Sequence, residues 1–266
     1  MKVVTWNVNG IRARKDDVAA FVAGEKPAIL CLQEIKALPG QVPESLGGLV
    51  DYWCYWHGMK GYSGVALLVS KRLSFDQPRF MHPDFDQETR VVVGELSTAF
   101  GEVSVASVYV PNGGKDFEGK MAFLRAMANY VASARAVGRS LIVCGDLNIA
   151  RAEIDVHPSE RDARAVGQRP EERAMFEEIL AGGELRDLGR DLDPTNERLY
   201  TWWAPWRNLR QRNIGWRIDY VLASAVVAGR AQAAVSMREV GTSDHAPLVV
   251  TFDGGAVASP LREVSE

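Results

Sequence analysis

Residues 141–148 read LIVCGDLN: four apolar side chains in succession, a glycine, then an acid and an amide. A short apolar run that stops on turn residues is the pattern of a strand covered on both faces. Similar runs, rich in Val, Ile, Tyr and Trp, recur at 3–8, 29–33, 65–70, 90–96, 103–110, 218–223, 231–237 and 248–252, and we read all of them, with 141–145, as strands. Three intervening stretches have helical spacing. Residues 16–24 open on an acidic cap and place Val18, Phe21 and Val22 on one side; 120–137 reads similarly; 170–180 begins with proline followed by Glu171 and Glu172. Strands outnumber helices too far for βαβ units around one parallel sheet. Two packed sheets with helices outside are the expected architecture.

The chain has 266 residues, 47% of them hydrophobic and 24% charged, which is enough to bury a large core without disulfides. No Pro/Gly/Ser-rich linker or solenoid period divides it, so one domain over 1–253 is expected, followed by a flexible tail over 254–266. Cys31, Cys54 and Cys144 are odd in number and far apart, which fits free thiols in a reducing compartment. No eighteen-residue apolar span occurs and the amino terminus opens directly on a strand, so the expectation is a cytoplasmic protein without a membrane partner. A net charge of only -3 predicts no bulk attraction for nucleic acid; an anionic partner would have to be met by a local basic patch or a metal ion.

Polar residues stand where several apolar runs stop. Asn7 and Asn9 follow the first strand, Glu34 the second, and Asp146 and Asn148 a later one. Strand ends feed the loops where sites assemble, so these residues can converge although they are distant in sequence. Taken alone, the Gly-Asp-x-Asn of 145–148 is equally a turn cap. Within the apolar run at 216–220, WRIDY, Asp219 needs a partner to offset its desolvation. Of four histidines, His245 lies in GTSDHAP just before the final strand. Asp219 holding one ring nitrogen would fix the tautomer and favour an imidazolium suited to phosphate oxygens; without Asp219, a cap is the plainer reading. His57, His82 and His157 show no comparable acid and are read as surface or structural. Nucleophile-elbow, thiol-rich zinc, P-loop and dinucleotide patterns are absent, which favours water attack on a phosphate ester assisted by a hard divalent ion.

Residues 200–217 hold Trp202, Trp203, Trp206 and Trp216, interleaved with Arg207, Arg210, Arg212 and Arg217, and no acid. Two or three of these tryptophans belong to the core; the interleaved arginines suggest an exposed surface for a phosphate backbone with a sugar or base. Arg12, Arg14 and Lys15 form a smaller cluster after the first strand, on the same rim or in a solvated loop.

Eight blocks in order, WNVNGIRA, LCLQEIK, GYSGVALL, SVYVPNGG, VCGDLNIA, YTWW, GWRIDYVL and SDHAPL, carry a resemblance running from Lys2 to about Phe252. The chain resembles the exonuclease III family of apurinic/apyrimidinic endonucleases, within the superfamily that also holds DNase I-like enzymes. The resemblance implies a four-layered α/β sandwich of two mixed, mostly antiparallel sheets flanked by helices. It implies a monomer that hydrolyses the phosphodiester 5′ to an abasic site in double-stranded DNA and trims blocked or recessed 3′ ends, using Mg2+ with Mn2+ as a substitute. By motif, Glu34 would be the metal carboxylate, with Asn7, Asn9 and Asp244 near it. Asp146 would position or deprotonate the attacking water, Asn148 would hold Asp146 in place, and His245, oriented by Asp219, would stabilise the phosphate. Tyr109, Asn112 and Lys115 would contact phosphate, as would Arg12, Arg207, Arg210, Arg212 and Arg217 along the DNA. Trp202, Trp216 and Ile218 match the pocket for the base-less sugar. Asn9 stands where some relatives carry Asp, Lys115 where some carry Arg, and Trp202 where some carry Phe; nothing is carried over to 157–168. Phosphodiesterases acting on phosphoinositides, sphingolipids or RNA tails, and a catalytically silent DNA-binding relative, are the alternatives.

Overall fold

Successive side chains on a strand point to opposite faces, and here both faces of the central strands are apolar. In a computed structural model that describes residues 1–98 and 101–253, the strands build two six-stranded sheets; the expected tail at 254–266 lies outside the described residues. The first sheet runs β11 (Ala231–Ser236), β12 (Leu248–Phe252), β1 (Lys2–Asn7), β2 (Ile29–Gln33), β4 (Tyr62–Ser70), β3 (Tyr52–Met59). The second runs β5 (Arg79–Met81), β6 (Val91–Thr98), β7 (Gly101–Tyr109), β8 (Ser140–Asp146), β10 (Asp219–Ser224), β9 (Leu185–Asp187). Among the described residues only β1 with β2 and β7 with β8 pair in parallel.

Alternation divides the core into layers. Ile29 and Cys31 of β2 share the inter-sheet layer with Val105 of β7 and with Ile142 and Cys144 of β8. Leu30 and Leu32 turn the other way, onto Val18, Phe21 and Val22 of α1 (Lys15–Glu25). Beyond the short α2 (Glu44–Gly47), α3 (Phe117–Ala136) and α4 (Pro170–Gly183) cover Leu141 and Val143 on the outer face of the second sheet. The layers are helix, sheet, sheet, helix, as expected. Three short helices, α5 (Leu188–Leu192), α6 (Leu209–Arg212) and α7 (Ala225–Ala228), lie in the connections.

Three strands differ from the sequence expectation. β3 is an edge strand whose residues are all partly exposed, so no alternation marks it, and β5 and β9 are three residues long. Cys31, Cys54 and Cys144 are free thiols. Among the described residues no helix is long and apolar enough to cross a membrane.

The inter-sheet layer turns polar toward one end. Thr5 Oγ1 donates to Gln33 Oε1 at 3.1 Å, Gln33 Nε2 to Ser107 Oγ at 3.2 Å, and Ser107 Oγ to the Leu32 carbonyl at 3.3 Å. This belt satisfies buried polar groups that would otherwise destabilise the core, and it carries the strands from an apolar interior to a charged cleft.

Candidate active site

Beyond that belt, the inward-facing rows end on Asn7 of β1, Tyr109 of β7, Asp146 of β8 and Asp219 of β10, with Glu34 directly after β2. Strand register sets Asp146 opposite both Tyr109 and Asp219. The turns that follow are tight. Asn9, Glu34, Lys36 and Asn148 have φ of 44°, 50°, 50° and 52°, a left-handed conformation that strains side chains such as Glu and Lys and recurs at functional turns.

Hydrogen bonds fix the set. Asn7 Nδ2 donates to Glu34 Oε1 at 2.8 Å and to Asp146 Oδ2 at 2.9 Å, linking the two sheets. The Asn148 backbone donates to Asp146 Oδ1 at 2.9 Å and its Nδ2 to Asp146 Oδ2 at 3.3 Å, while Asn112 Nδ2 donates to Asn148 Oδ1 at 3.2 Å. His245 Nδ1 lies 2.9 Å from Asp219 Oδ2, and its Nε2 lies 3.8 Å from Asp146 Oδ2. Asp219 Oδ1 has no hydrogen-bond partner among the described residues. Asp244 accepts from Asn9 Nδ2 at 2.9 Å and from Trp202 Nε1 at 3.2 Å.

Burial and crowding set the charges. Burial opposes a positive His245, but Asp219, Asp146 and Asp244 outweigh it and raise its pKa to about 10, so it is a cation at neutral pH. Asp146 is pushed up to about 7, chiefly by burial and further by Asp219 and Glu34, against the pull of His245 and Asn7. Burial would raise Glu34, yet hydrogen bonds from Asn7 and Lys36 hold it below the usual carboxylate range. Burial, then the charges of Glu34 and Asp146, raise the Tyr109 phenol, which stays protonated.

The cleft fits a divalent cation. Glu34, Asp146 and His245 each bring a ligand atom within 4.8 Å of the others, but His245 is cationic and bonded to Asp219, so oxygen donors remain. Those oxygens, from Glu34, Asp146 and Asp244 with the amides of Asn7 and Asn9, suit a hard ion. Among the acids Glu34, Asp146, Asp219 and Asp244, His245 and Lys36 are the cations in direct contact. The Lys36 ammonium, 2.7 Å from Glu34 Oε2 and 2.6 Å from Asn9 Oδ1, already holds two of these oxygens to a positive charge.

Glu34, Asp146, Asp244 and His245 line a cavity of about 270 Å³ together with Tyr109, Asn112, Asn148, Trp202, Trp216 and Ile218. Trp202 and Trp216 meet edge to face, with ring centroids 5.5 Å apart and planes at 79°, and each backbone N–H donates to the other's carbonyl at 2.9 Å. The catalytic and apolar residues expected from sequence are therefore brought to one hollow.

The basic residues divide. Trp206 is 59% exposed, and with Arg14, Arg207 and Arg210 it lines an adjoining hollow that reaches Asn9 and Asp244. Arg12, Lys115, Arg207 and Arg212 are exposed. Arg210 is turned inward, donating to the carbonyls of Arg238, Ser243 and Val240. The expectation that Arg217 faces a phosphate backbone is corrected: it is fully buried and makes four hydrogen bonds of 2.8–2.9 Å to Asp155 and Asp187. The expectation that His57 and His82 lack an acid is corrected as well, since both approach Asp86.

Several residues of the site were not anticipated. Lys36 lies inside the LCLQEIK block. Thr201 Oγ1 accepts from the backbones of Ile218 and Asp219 at 3.1 Å, and Ser243 Oγ donates to the Asn7 carbonyl at 2.8 Å. The fully buried Lys120 donates to the Asn148 carbonyl at 2.7 Å and pairs with Glu172. Ser243 sits beside Asp244 and Thr201 beside Trp202 inside the YTWW block, readable signals; Lys120 carries none.

A two-sheet sandwich with an acidic, histidine-containing cleft at one end of the inter-sheet layer defines the class of metal-assisted phosphoesterases. Comparison with known proteins agrees: the model of the Endonuclease/Exonuclease/phosphatase family matches residues 4–245. An exodeoxyribonuclease of Bacillus subtilis is 35% identical over 93% of this chain and 98% of its own. The DNA repair nuclease APEX1 of Danio rerio is 34% identical over 94% of this chain and 81% of its own. Among solved structures, an AP endonuclease from Archaeoglobus fulgidus superposes with a TM-score of 0.85 at 27% identity, covering 96% of this chain and 100% of that one. A 3′-5′ exonuclease from Neisseria meningitidis gives 0.84 at 29% identity, with coverage of 96% and 100%. The chain belongs to the Endonuclease/Exonuclease/phosphatase family, in its branch of exodeoxyribonuclease III and AP endonucleases. Catalysis in this family depends on a metal, which the cleft's oxygen donors are suited to hold.

Proposed function

We propose that this hydrolytic nuclease repairs DNA by cutting the phosphodiester 5′ to abasic sites in duplex DNA and by trimming blocked or recessed 3′ ends. In this reading it acts in the cytoplasm as a monomer, as one domain over 1–253, with Mg2+ as its ion and Mn2+ as a substitute. One observation carries the reading: the Asp219–His245–Asp146 chain opens directly onto the hollow walled by Trp202, Trp216 and Ile218. An edge-to-face tryptophan corner pinned by its own backbone receives an apolar sugar face and resists an attached base. Relatives named for AP endonuclease and for 3′-5′ exonuclease action share the fold, which supports one cleft serving both.

In the proposed reaction Asp146, with a pKa of about 7 and its carboxylate held by Asn148 and Asn7, takes the proton of the attacking water as that water's oxygen bonds to phosphorus; the bond to the 3′ oxygen breaks, and that oxygen takes a proton from solvent to leave as a hydroxyl. The His245 imidazolium, kept charged by Asp219, opposes the negative charge that gathers on the phosphate. Tyr109 and Asn112 offer protonated donors to the same oxygens. A bound ion, held by Glu34 with Asn7, Asn9 and Asp244, would supply charge neutralisation there. Arg12, Lys115, Arg207 and Arg212 would meet the backbone on either side.

The test is cleavage of a labelled duplex carrying one tetrahydrofuran abasic analogue, beside an intact duplex and a recessed 3′ end, with Mg2+ and with EDTA. Scission on the 5′ side of the analogue, only with Mg2+, is expected, because the analogue cannot undergo β-elimination. Failure to cut any of the three substrates would overturn the reading.

A further inference from the structure

The sandwich leaves one edge of each sheet on the same side: β3 closes the first and β5 the second. Tyr55 of β3 stacks on Phe80 of β5 with ring centroids 4.9 Å apart. Two residues along each chain, His57 stacks on His82, centroids 3.8 Å apart and planes at 27°. Asp86, between β5 and β6, completes the group, its Oδ2 lying 2.6 Å from His57 Nε2 and 3.8 Å from His82 Nδ1.

We propose that His57, His82 and Asp86 form a site for a borderline transition-metal dication, with Zn2+ as the reference ion, tying the edges of the two sheets together. Two imidazole nitrogens and one carboxylate oxygen are the donors such ions take, whereas Mg2+ prefers oxygen alone. The three ligand atoms lie within 4.8 Å of one another. Zinc bonds of about 2.0–2.2 Å ask for ligand atoms some 3.3–3.5 Å apart, and the stacked rings would have to swing apart so that their in-plane lone pairs meet at one point.

The surroundings orient the donors as outer partners do at metal sites. Asp86 Oδ1 accepts from the backbones of Arg90 and Val91 at 2.7 and 2.8 Å, which leaves Oδ2 aimed at both rings. His82 Nε2 meets the Tyr55 hydroxyl at 2.9 Å, so Nδ1 is the nitrogen turned toward the ion. That Nδ1 donates to the Val91 carbonyl at 3.1 Å, and to bind an ion the ring would give up this proton and turn Nδ1 from the carbonyl toward Asp86. His82 is exposed, which gives the ion a way in and water access to the fourth position.

The experiment uses the full chain carrying Glu34→Gln, so that the acidic cleft contributes less, after treatment with chelator. Calorimetric titration with ZnCl2 should show one equivalent bound with a micromolar dissociation constant. His57→Asn and His82→Asn, the latter at an exposed position that leaves the fold intact, should each weaken binding at least tenfold. Zn2+ at a hundredfold excess over that constant should raise Tm by about 5 °C, and Mg2+ should not. No binding, binding that survives both substitutions, or an equal rise with Mg2+ would overturn the proposal.

Discussion

Arg217 and Asp219 are two residues apart, both fully buried, and their surroundings do opposite things with buried charge. The Arg217 guanidinium is held at every nitrogen: it grips Asp155 and Asp187 bidentately, and Arg190 and Arg151 pair with the same two acids, with only Arg190 Nε in this group left without a partner among the described residues. Burial alone would weaken that guanidinium's hold on its proton, yet Asp187 and Asp155 raise its pKa well above the usual value. Around Asp219 the matching is incomplete. Its Oδ1 is unpartnered, and Asp146 is lifted to about 7. A saturated cluster fixes one conformation and has nothing left to offer a ligand; an unsaturated one is held ready by its neighbours for a proton, an ion or a phosphate.

The largest expected effects separate the two clusters. Asp146→Asn should lower abasic-site cleavage about 10³-fold or more, some 4 kcal/mol of transition-state stabilisation, with little change in the urea midpoint. Arg217→Met should do the reverse. It leaves Asp155 and Asp187 buried without their shared partner and should cost about 3–5 kcal/mol of stability in urea unfolding. A catalytic defect in Arg217→Met at full folding, or a collapse of stability in Asp146→Asn, would break the contrast.

A smaller effect tests the unsaturated cluster from inside. In the wild type, activity should fall as pH drops through about 7, where Asp146 takes up a proton, and again as pH rises through about 10, where His245 loses one. Asp219→Asn removes the largest influence raising the His245 pKa, so the alkaline limb should move to lower pH. The rate at neutral pH should fall about tenfold to a hundredfold. An alkaline limb that stays in place in the pH profile of kcat/KM would detach Asp219 from His245.

How much of this was legible in the sequence follows from how far each residue's partner lies. The central strands were readable because apolar runs with polar ends are local, and those ends mark Asn7, Glu34 and Asp146. Asp219 and His245 were joined across 26 residues because an acid in an apolar strand demands a partner and one histidine lay in a matching context. Arg217 failed by the same logic. It stands beside Trp216 in a stretch without acids, while its partners Asp155 and Asp187 are 62 and 30 residues away, in a short turn and at the end of the three-residue strand β9. His57 and Asp86 are likewise joined only by the packing of two edge strands, one of which has no alternation to announce it.

The smallest effect concerns arginines that no cluster has claimed. Sequence placed Arg207, Arg210 and Arg212 together as a backbone contact, but Arg210 is occupied by three carbonyls, much as Arg217 is occupied by two acids. Among the described residues the guanidinium groups of Arg207 and Arg212 have no hydrogen bond or ion pair; both are exposed, and Arg207 lines the Trp206 hollow. Each phosphate neutralised on duplex DNA contributes about 0.9 to the slope of log affinity against log salt. Arg207→Gln with Arg212→Gln should therefore reduce that slope by up to about 1.8, in a fluorescence-anisotropy titration of abasic duplex at several salt concentrations. Arg210→Gln alone should leave the slope unchanged and lower Tm instead, because it strips the donors from three partly buried carbonyls and not from DNA. A slope carried by Arg210 and indifferent to its two neighbours would show that an arginine with filled hydrogen bonds still serves the ligand, and would dissolve the distinction between saturated and unsaturated charge.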